Sequence, residues 1–207
     1  MKKKISRAEI DAMEHLYKIN LINSCSGFKS ANLIGSVAAN GDTNVAVFSS
    51  VVHLGSNPPL LGMIFRPLTV PRNTYDNIKE GSYYTINHIH KPLIEAAHHT
   101  SAKYPKEISE FDKTNLTPEY KSGCMLPFVA GAPVQMLMKY VEEYTIKSND
   151  TILLVGEIKE LFVNEELLTD EGFIDLSKAQ VATINGLDGY AIPEKSKRLP
   201  YQRVKVN

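Results

Sequence analysis

Between residues 41 and 87 the sequence gathers side chains suited to holding an anion. Arg66 follows a strongly apolar run, and Arg72 and Thr74 stand at the start of a short helical segment, 73–81. The free N–H groups and the dipole of a helix N-terminus favour negative charge there. Arg66 could add a forked, charge-assisted contact. Upstream, Asn44 opens a strand that ends in Ser49-Ser50; downstream, Asn87 lies in a later strand. Small side chains at Ser49 and Ser50 allow a close approach to the backbone, whose amides can donate. Each feature has a plainer reading. Ser49-Ser50 could be an ordinary strand end, Thr74 only an N-cap, Arg66 and Arg72 solvated charges, and Asn87 a satisfier of backbone groups.

Other chemistries find no pattern. The sequence holds no Gly-x-Gly-x-x-Gly after a strand, no Walker loop, no His-Glu-x-x-His and no Gly-x-Ser-x-Gly. Four of the six histidines, His88, His90, His98 and His99, fall within twelve residues. His88 and His90 would share a strand face, but His98 and His99 diverge on a helix by about 100°, and Glu95 is the one acid nearby. They read as solvated or partner-facing. The acid pairs Glu142-Glu143 and Glu165-Glu166 read as solvated faces and turns, so no side chain is assigned a catalytic role and no metal is expected.

The elements that must position these residues are mostly strands. Ser6-Arg7-Ala8-Glu9 is a capping box, and Ile10, Met13, Leu16 and Tyr17 follow at helical spacing, which predicts a helix over 7–18. Residues 32–38 and 45–48 read as a hairpin around Asn40-Gly41-Asp42. A loop then leads to the break at Asn57-Pro58-Pro59, and 60–65 is a buried strand. The helix at 73–81 has a polar N-cap and closes at Gly81, followed by a strand over 83–89. Pro92 suits the first turn of a helix running to about 102. Residues 103–127 read as turns and loop, 133–146 and 151–163 as long strands, and 179–207 as mixed. The sum is mainly β with inserted helices. A closed or split barrel is expected, since closure removes exposed sheet edges.

The order of these pieces resembles the flavin reductase-like family, the FMN-binding split barrels that include flavoredoxin. The resemblance rests on Gly41, Asn44, Ser49 and Ser50, Asn57-Pro58-Pro59, Thr74-Tyr75-Asp76-Asn77-Ile78, Gly81, Tyr84 and Asn87. It continues more weakly through Gly131-Ala132-Pro133-Val134-Gln135, Leu154-Val155-Gly156-Glu157-Ile158 and Gly172-Phe173-Ile174-Asp175, covering roughly 30–190. It implies one domain over 1–207: a lead-in over 1–29, the split barrel over 30–190 and a tail over 191–207. It also implies bound FMN, with FAD as the alternative, and NADH or NADPH as co-substrate. Asn44, Phe48, Ser49, Ser50, Arg66, Arg72, Thr74 and Asn87 become the cofactor-binding set. Ser49, Ser50 and the preceding strand end would line the isoalloxazine ring, and Arg72 and Thr74 would meet the phosphate. The implied activity is an NAD(P)H-dependent flavin reductase or flavoredoxin-like oxidoreductase, passing hydride to flavin N5 and electrons on to a small-molecule or protein acceptor. Rivals are a pyridoxamine-phosphate-oxidase-like enzyme, or a flavin or haem carrier or sensor without turnover. The chain departs from some members in having no tryptophan and no histidine after His99.

Composition narrows the partners. The 207 residues carry 23 basic and 23 acidic side chains and are 43% hydrophobic, an ordinary globular composition. Zero net charge argues against nucleic acid and a polybasic membrane anchor. The Lys2-Lys3-Lys4 start is followed by no apolar stretch of the kind a signal peptide needs. Cys25 and Cys124 form no metal or redox motif, so reduced thiols in a cytoplasm are expected. Acids dominate 139–176 and bases dominate 193–207; opposite patches on a neutral chain suit a homodimer.

Overall fold

A computed structural model describes residues 1–121 and 123–204. The capping box forms as the sequence predicts: the Glu9 amide donates to Ser6 Oγ at 3.3 Å and the Ser6 amide to Glu9 Oε2 at 2.6 Å. The helix it opens, α1 (Arg7–Asp11), stops short. A second helix, α2 (His15–Cys25), starts where the Glu14 carboxylate accepts from the Leu16 and Tyr17 amides. One helix over 7–18 is therefore two, because Glu14 supplies a second N-cap inside the periodic stretch. Leu16 and Tyr17 are exposed.

The strands follow as β1 (Lys29–Ser30), β2 (Asn32–Val37), β3 (Thr43–Phe48), β4 (Val51–Ser56) and β5 (Pro59–Phe65). Then come α3 (Asn73–Gly81), β6 (Tyr83–His88), a 3-10 turn at Lys91–Leu93, and α4 (Ile94–His99). A 3-10 turn at Glu110–Lys113, short β7 (Pro118–Glu119) and β8 (Phe128–Val129), and long β9 (Val134–Ile146) and β10 (Thr151–Val163) lead to β11 (Thr183–Asn185) and β12 (Gly189–Ala191). The segment read as a loop before Asn57 is the strand β4. Its Val51-Val52 start suits a pleated surface, and Asn57-Pro58 makes a tight turn that pairs Ser56 with Pro59. At the end of α3 the left-handed position belongs to Ser82 (φ 60°), one residue beyond Gly81, which is still helical.

Seven strands form one antiparallel sheet in the order β3-β2-β6-β9-β10-β5-β4. Its two edge strands, β3 and β4, are consecutive in the chain, with only Ser49 and Ser50 between them. Phe48 and Val51 can then be no more than about 11 Å apart, so the sheet must curl until its edges nearly meet. The core agrees. Ile34, Phe48, Val51, Met63, Phe65, Tyr84, Ile86, Met136, Met138, Ile152 and Leu154 pack into one cluster to which every strand of the sheet contributes. Ile78 and Tyr75 of α3 join that cluster and close one end of the barrel.

A second cluster lies on the outer face of β2, β3 and β6. There Leu33, Val45 and Val47 meet Ala97, Phe111, Leu116, Val129 and Ile184. The same covering segment satisfies the open edge of β3: the Val45 amide donates to Glu110 Oε2 at 3.2 Å and the Val47 amide to Thr100 Oγ1 at 2.9 Å. A sheet edge that would otherwise invite pairing is thereby closed. The basic tail meets the acidic stretch inside one chain, where Arg198 bonds Glu171 at 2.6 Å and stacks over Phe173. Lys205, counted in the basic patch, lies outside the described residues.

Candidate functional site

The corner between β3 and β4 is built from backbone and small side chains. Ser49 and Ser50 fall outside both strand ladders, so their amides are committed to neither. Their geometry is fixed from behind. Ser50 Oγ donates to the Ile64 carbonyl at 2.9 Å. Ser30 Oγ donates to the Val51 carbonyl at 3.0 Å and accepts from Asn32 Nδ2 at 3.0 Å. Both serines, with Val51, Val52 and Ile64, form one wall of a groove of about 540 Å³. The rest of the lining comes from the end of α2 and the segment after it, including Ile22, Phe28 and Lys29. The volume falls in the range of small-ligand sites.

Phe48 is half-buried at the barrel mouth and packs edge-on against Phe65, their ring centres 5.2 Å apart. Arg66 is exposed just beyond the end of β5. Arg72 is the N-cap residue of α3, with an extended backbone and no capping side-chain bond. Its Nε is buried without a partner, and a charged donor left in that state is costly unless a ligand completes it. Beside it lie the first N–H groups of α3. This is the one place in the candidate set where the structure itself leaves a demand for an anion.

The other three residues are spent inside the chain. With the Asn44 amide turned so that both ends are satisfied, its nitrogen donates to Glu110 Oε2 at 3.3 Å and its oxygen accepts from Thr74 Oγ1 at 3.0 Å. Asn77 Nδ2 donates to Ser36 Oγ at 3.1 Å in the same buried layer. Burial pushes the Glu110 carboxyl up, against the pull of its backbone donors. Asn87 donates to the Leu33 carbonyl and Thr85 Oγ1, and accepts from the Val129 amide at 3.0 Å. So Asn44 and Thr74 tie α3 to β3, and Asn87 pins β8 to the sheet.

A second cleft, of about 320 Å³, borders this layer and the start of α3, lined by Asn44, Asn73 and Asn77 and by Asp42, Glu80 and Glu107 against Lys106. Its carboxylates would repel a phosphate, so the groove at Ser49-Ser50 is the better cofactor candidate.

Two readings of titratable groups change. His88, expected to be solvated or partner-facing, points into the barrel, and burial pushes its imidazole down to about 4. It stands directly opposite Asn32 in the β2–β6 register; His88 Nδ1 and Asn32 Oδ1 are both buried and unpartnered. Glu143, expected on a solvated face, accepts from the Tyr75 hydroxyl at 3.0 Å and lies 3.3 Å from Lys79 Nζ. Burial first, then this carboxylate, raise the Tyr75 phenol. His98 and His99 do diverge, toward Tyr190 and Tyr104 respectively.

Residues 26–177 match the family described as the flavin reductase like domain. The chain belongs to that family. A solved structure from Shewanella frigidimarina NCIMB 400, provisionally named a flavin reductase with a split barrel domain, is 45% identical. It matches 97% of this chain and 100% of its own with a TM-score of 0.93. Nitrilotriacetate monooxygenase component B from Bacillus cereus is 20% identical over 96% of this chain and 99% of its own, with a TM-score of 0.82. The FMN-binding protein from Thermus thermophilus is 15% identical over 97% of this chain and 100% of its own, with a TM-score of 0.72. These likenesses agree with the curled seven-stranded sheet: the fold is the split barrel of flavin reductases, a mainly β architecture. Phe28 and Ile22 line the groove without any signature in the sequence. Both lie in the lead-in before the resemblance begins, and nothing in a lone Phe between Gly27 and Lys29 signals that it faces a groove.

Proposed function

We propose that this chain binds FMN in the groove at Ser49-Ser50 and works as an NAD(P)H-dependent flavin reductase or flavoredoxin-like oxidoreductase. The observation that carries the reading is that the amides of Ser49 and Ser50, in the lining of the groove, stand outside both strand ladders; the buried Nε of Arg72, which is not among the groove's lining residues, is a second unpartnered donor. The first suits the polar edge of a flat ring, the second an anionic phosphate. The family membership and the FMN-binding neighbour support it.

When bound, the flavin supplies the redox chemistry, accepting hydride from a nicotinamide and releasing electrons to an acceptor. The chain's own residues bind and orient. Ser49 and Ser50 present backbone donors whose positions are held by Ser30, Asn32 and the Ile64 carbonyl. Such preorganised donors stabilise charge without rearranging when it develops. Arg72, with Arg66 beyond the end of β5, would hold the phosphate as a charge-assisted contact.

A homodimer in the cytoplasm completes the reading. Exposed Leu16, Tyr17, Val141 and Tyr144 leave apolar surface for a second copy, and the free thiols Cys25 and Cys124 suit a reducing compartment.

The test is a visible spectrum of the purified protein and a titration with FMN, followed by addition of NADH or NADPH. Micromolar or tighter FMN binding and bleaching of the flavin by one nicotinamide are expected. A colourless protein with no micromolar affinity for FMN or FAD would overturn the proposal, and bound flavin reduced by dithionite alone would convert it into a carrier or sensor.

A further inference from the structure

Behind the Ser49-Ser50 corner a short line of hydrogen bonds runs inward and stops at two buried atoms without partners among the described residues. It starts at the Val51 carbonyl, the first past the corner, which accepts from Ser30 Oγ at 3.0 Å. A carbonyl can only accept, so the Ser30 hydroxyl spends its one proton there. Toward Asn32 that hydroxyl can then only accept, and Asn32 Nδ2 donates to it at 3.0 Å. This fixes the amide's orientation, with Nδ2 toward Ser30 and Oδ1 away from it. Asn32 is wholly buried, and its Oδ1 is an acceptor in need of a donor. In the register Asn32 stands between Phe48 of β3 and His88 of β6. It alternates with Ile34 on β2, and His88 with Tyr84 and Ile86 on β6, so both side chains face the barrel interior. Cβ atoms across such a pair lie about 4.5–5.5 Å apart. The buried, unpartnered Nδ1 of His88 is the donor that the register offers.

A neutral imidazole carries its proton on one ring nitrogen, and the partner of each nitrogen decides which. In the Nδ1–H form His88 donates where Asn32 accepts. In the Nε2–H form two acceptors would face each other in a dry interior, which burial makes costly. A slight turn of the ring, or one bridging water, brings donor to acceptor. We infer that His88 is a positioning residue of the cofactor corner: as the Nδ1–H tautomer it donates to Asn32 Oδ1, and through Asn32 and Ser30 it holds the Val51 carbonyl and, next to it, the Ser49-Ser50 donors. Every proton in the line then points the same way, from β6 to the corner, and bonds aligned head to tail strengthen one another. The inference rests on the proposed flavin site and adds to it the group that fixes the corner from inside the barrel. His88 acts through the two intervening side chains rather than on the flavin ring.

The first measurement needs no cofactor. Nitrogen-15 NMR of the histidine side chains in the flavin-free protein, assigned with His88→Gln, should find His88 as the Nδ1–H tautomer, against the Nε2–H form that free histidine side chains prefer. Asn32→Leu should return it to Nε2–H. A wild-type His88 in the Nε2–H form, or Nδ1–H in both proteins, would overturn the inference. The second measurement compares FMN and riboflavin binding. If the wild type binds neither flavin, the flavin reading falls and the positioning role with it. Given wild-type binding, Ser30→Ala and His88→Leu should each weaken both flavins alike, by about three- to tenfold, because both carry the ring that the corner holds. Each should also lower the midpoint potential of the bound flavin, since loosened donors stabilise the charge of its reduced form less. The double variant should lose no more than the larger single loss, as both changes cut one line. His88→Gln, whose amide can donate in place of Nδ1, should recover most of the loss. Asn32→Leu cuts the same line and takes the place of His88→Leu in the cycle should that variant fold poorly. Binding within twofold of wild type in His88→Leu, losses that add in the double variant, or equal losses in His88→Leu and His88→Gln would overturn the inference while leaving the flavin site standing.

Discussion

Arg72 and His88 are two buried polar groups that the chain leaves unsatisfied, and they make different demands. Arg72 Nε is a guanidinium donor, so its missing partner is an acceptor, and an anion makes the strongest one. Arg72→Ala should cost about 1–3 kcal/mol of FMN binding through loss of a charge-assisted bond, with riboflavin affinity unchanged; parallel titrations check this, and equal losses would remove the phosphate assignment. His88 stays neutral. Its folded pKa, about 4 against 6.5 for a free imidazole, is depressed, so the unfolded chain takes up the proton first as pH falls. Its contribution is fully present above pH 6.5 and declines to nothing by about pH 4, a loss of about 3 kcal/mol at most. Thermal melts from pH 7 to 4.5 should show the midpoint falling, and the slope should flatten in His88→Gln. Thr74 marks the limit of residue-level reading. Its place at a helix start matched both a cap and a phosphate ligand, but its hydroxyl faces Asn44, and only the packing of α3 on β3 decides that.

Among the elements, β10 shows how a single backbone position fixes a register. A Cβ on Gly156 would run into the Tyr84 hydroxyl, and Tyr84 is buried in the barrel core with no room to yield. The β9–β10 register shifts between Val155 and Gly156, where Val141 of β9 is the extra residue, a bulge that bends β9 as a curling sheet requires. Gly156→Ala should destabilise by about 1–3 kcal/mol through overpacking, read as a lower urea midpoint at constant slope. Adding Tyr84→Phe should recover part of it, a coupling expected of residues in contact.

Most elements were legible from the sequence. The hairpin β2–β3, the strands β5, β6, β9 and β10 and the helix α3 lie within a few residues of their expected places, because their periodicity and turn residues are local signals. β4 was not, because Asn57-Pro58-Pro59 reads as a break although it is a tight turn between paired strands. The division of α1 from α2 was hidden because Glu14 caps with a carboxylate, outside the Ser/Thr pattern. Arg72's unpaired state and Phe28's place in the groove are tertiary facts with no local signature.

At the scale of the molecule, charge and closure both look different in three dimensions. The acidic and basic stretches that suggested attraction between copies meet partly within one chain, at Arg198 and Glu171, although so exposed a pair adds little to stability. The case for a dimer rests on apolar surface instead, and sedimentation across a concentration series would test it. Closure turns on Ser49-Ser50, which joins the first and last strands of the sheet and is also the polar wall of the groove. A ligand there would act as a latch on the barrel's own breathing: it would bind only the closed form, and so would suppress openings in proportion to its occupancy. Saturating FMN should therefore slow amide hydrogen exchange along 43–48 and 51–56 more than along 83–88 in the middle of the sheet. The same two serines would make cofactor loading and tightening of the β3–β4 seam a single event, so that occupancy of the groove would be read out as stiffness of the barrel.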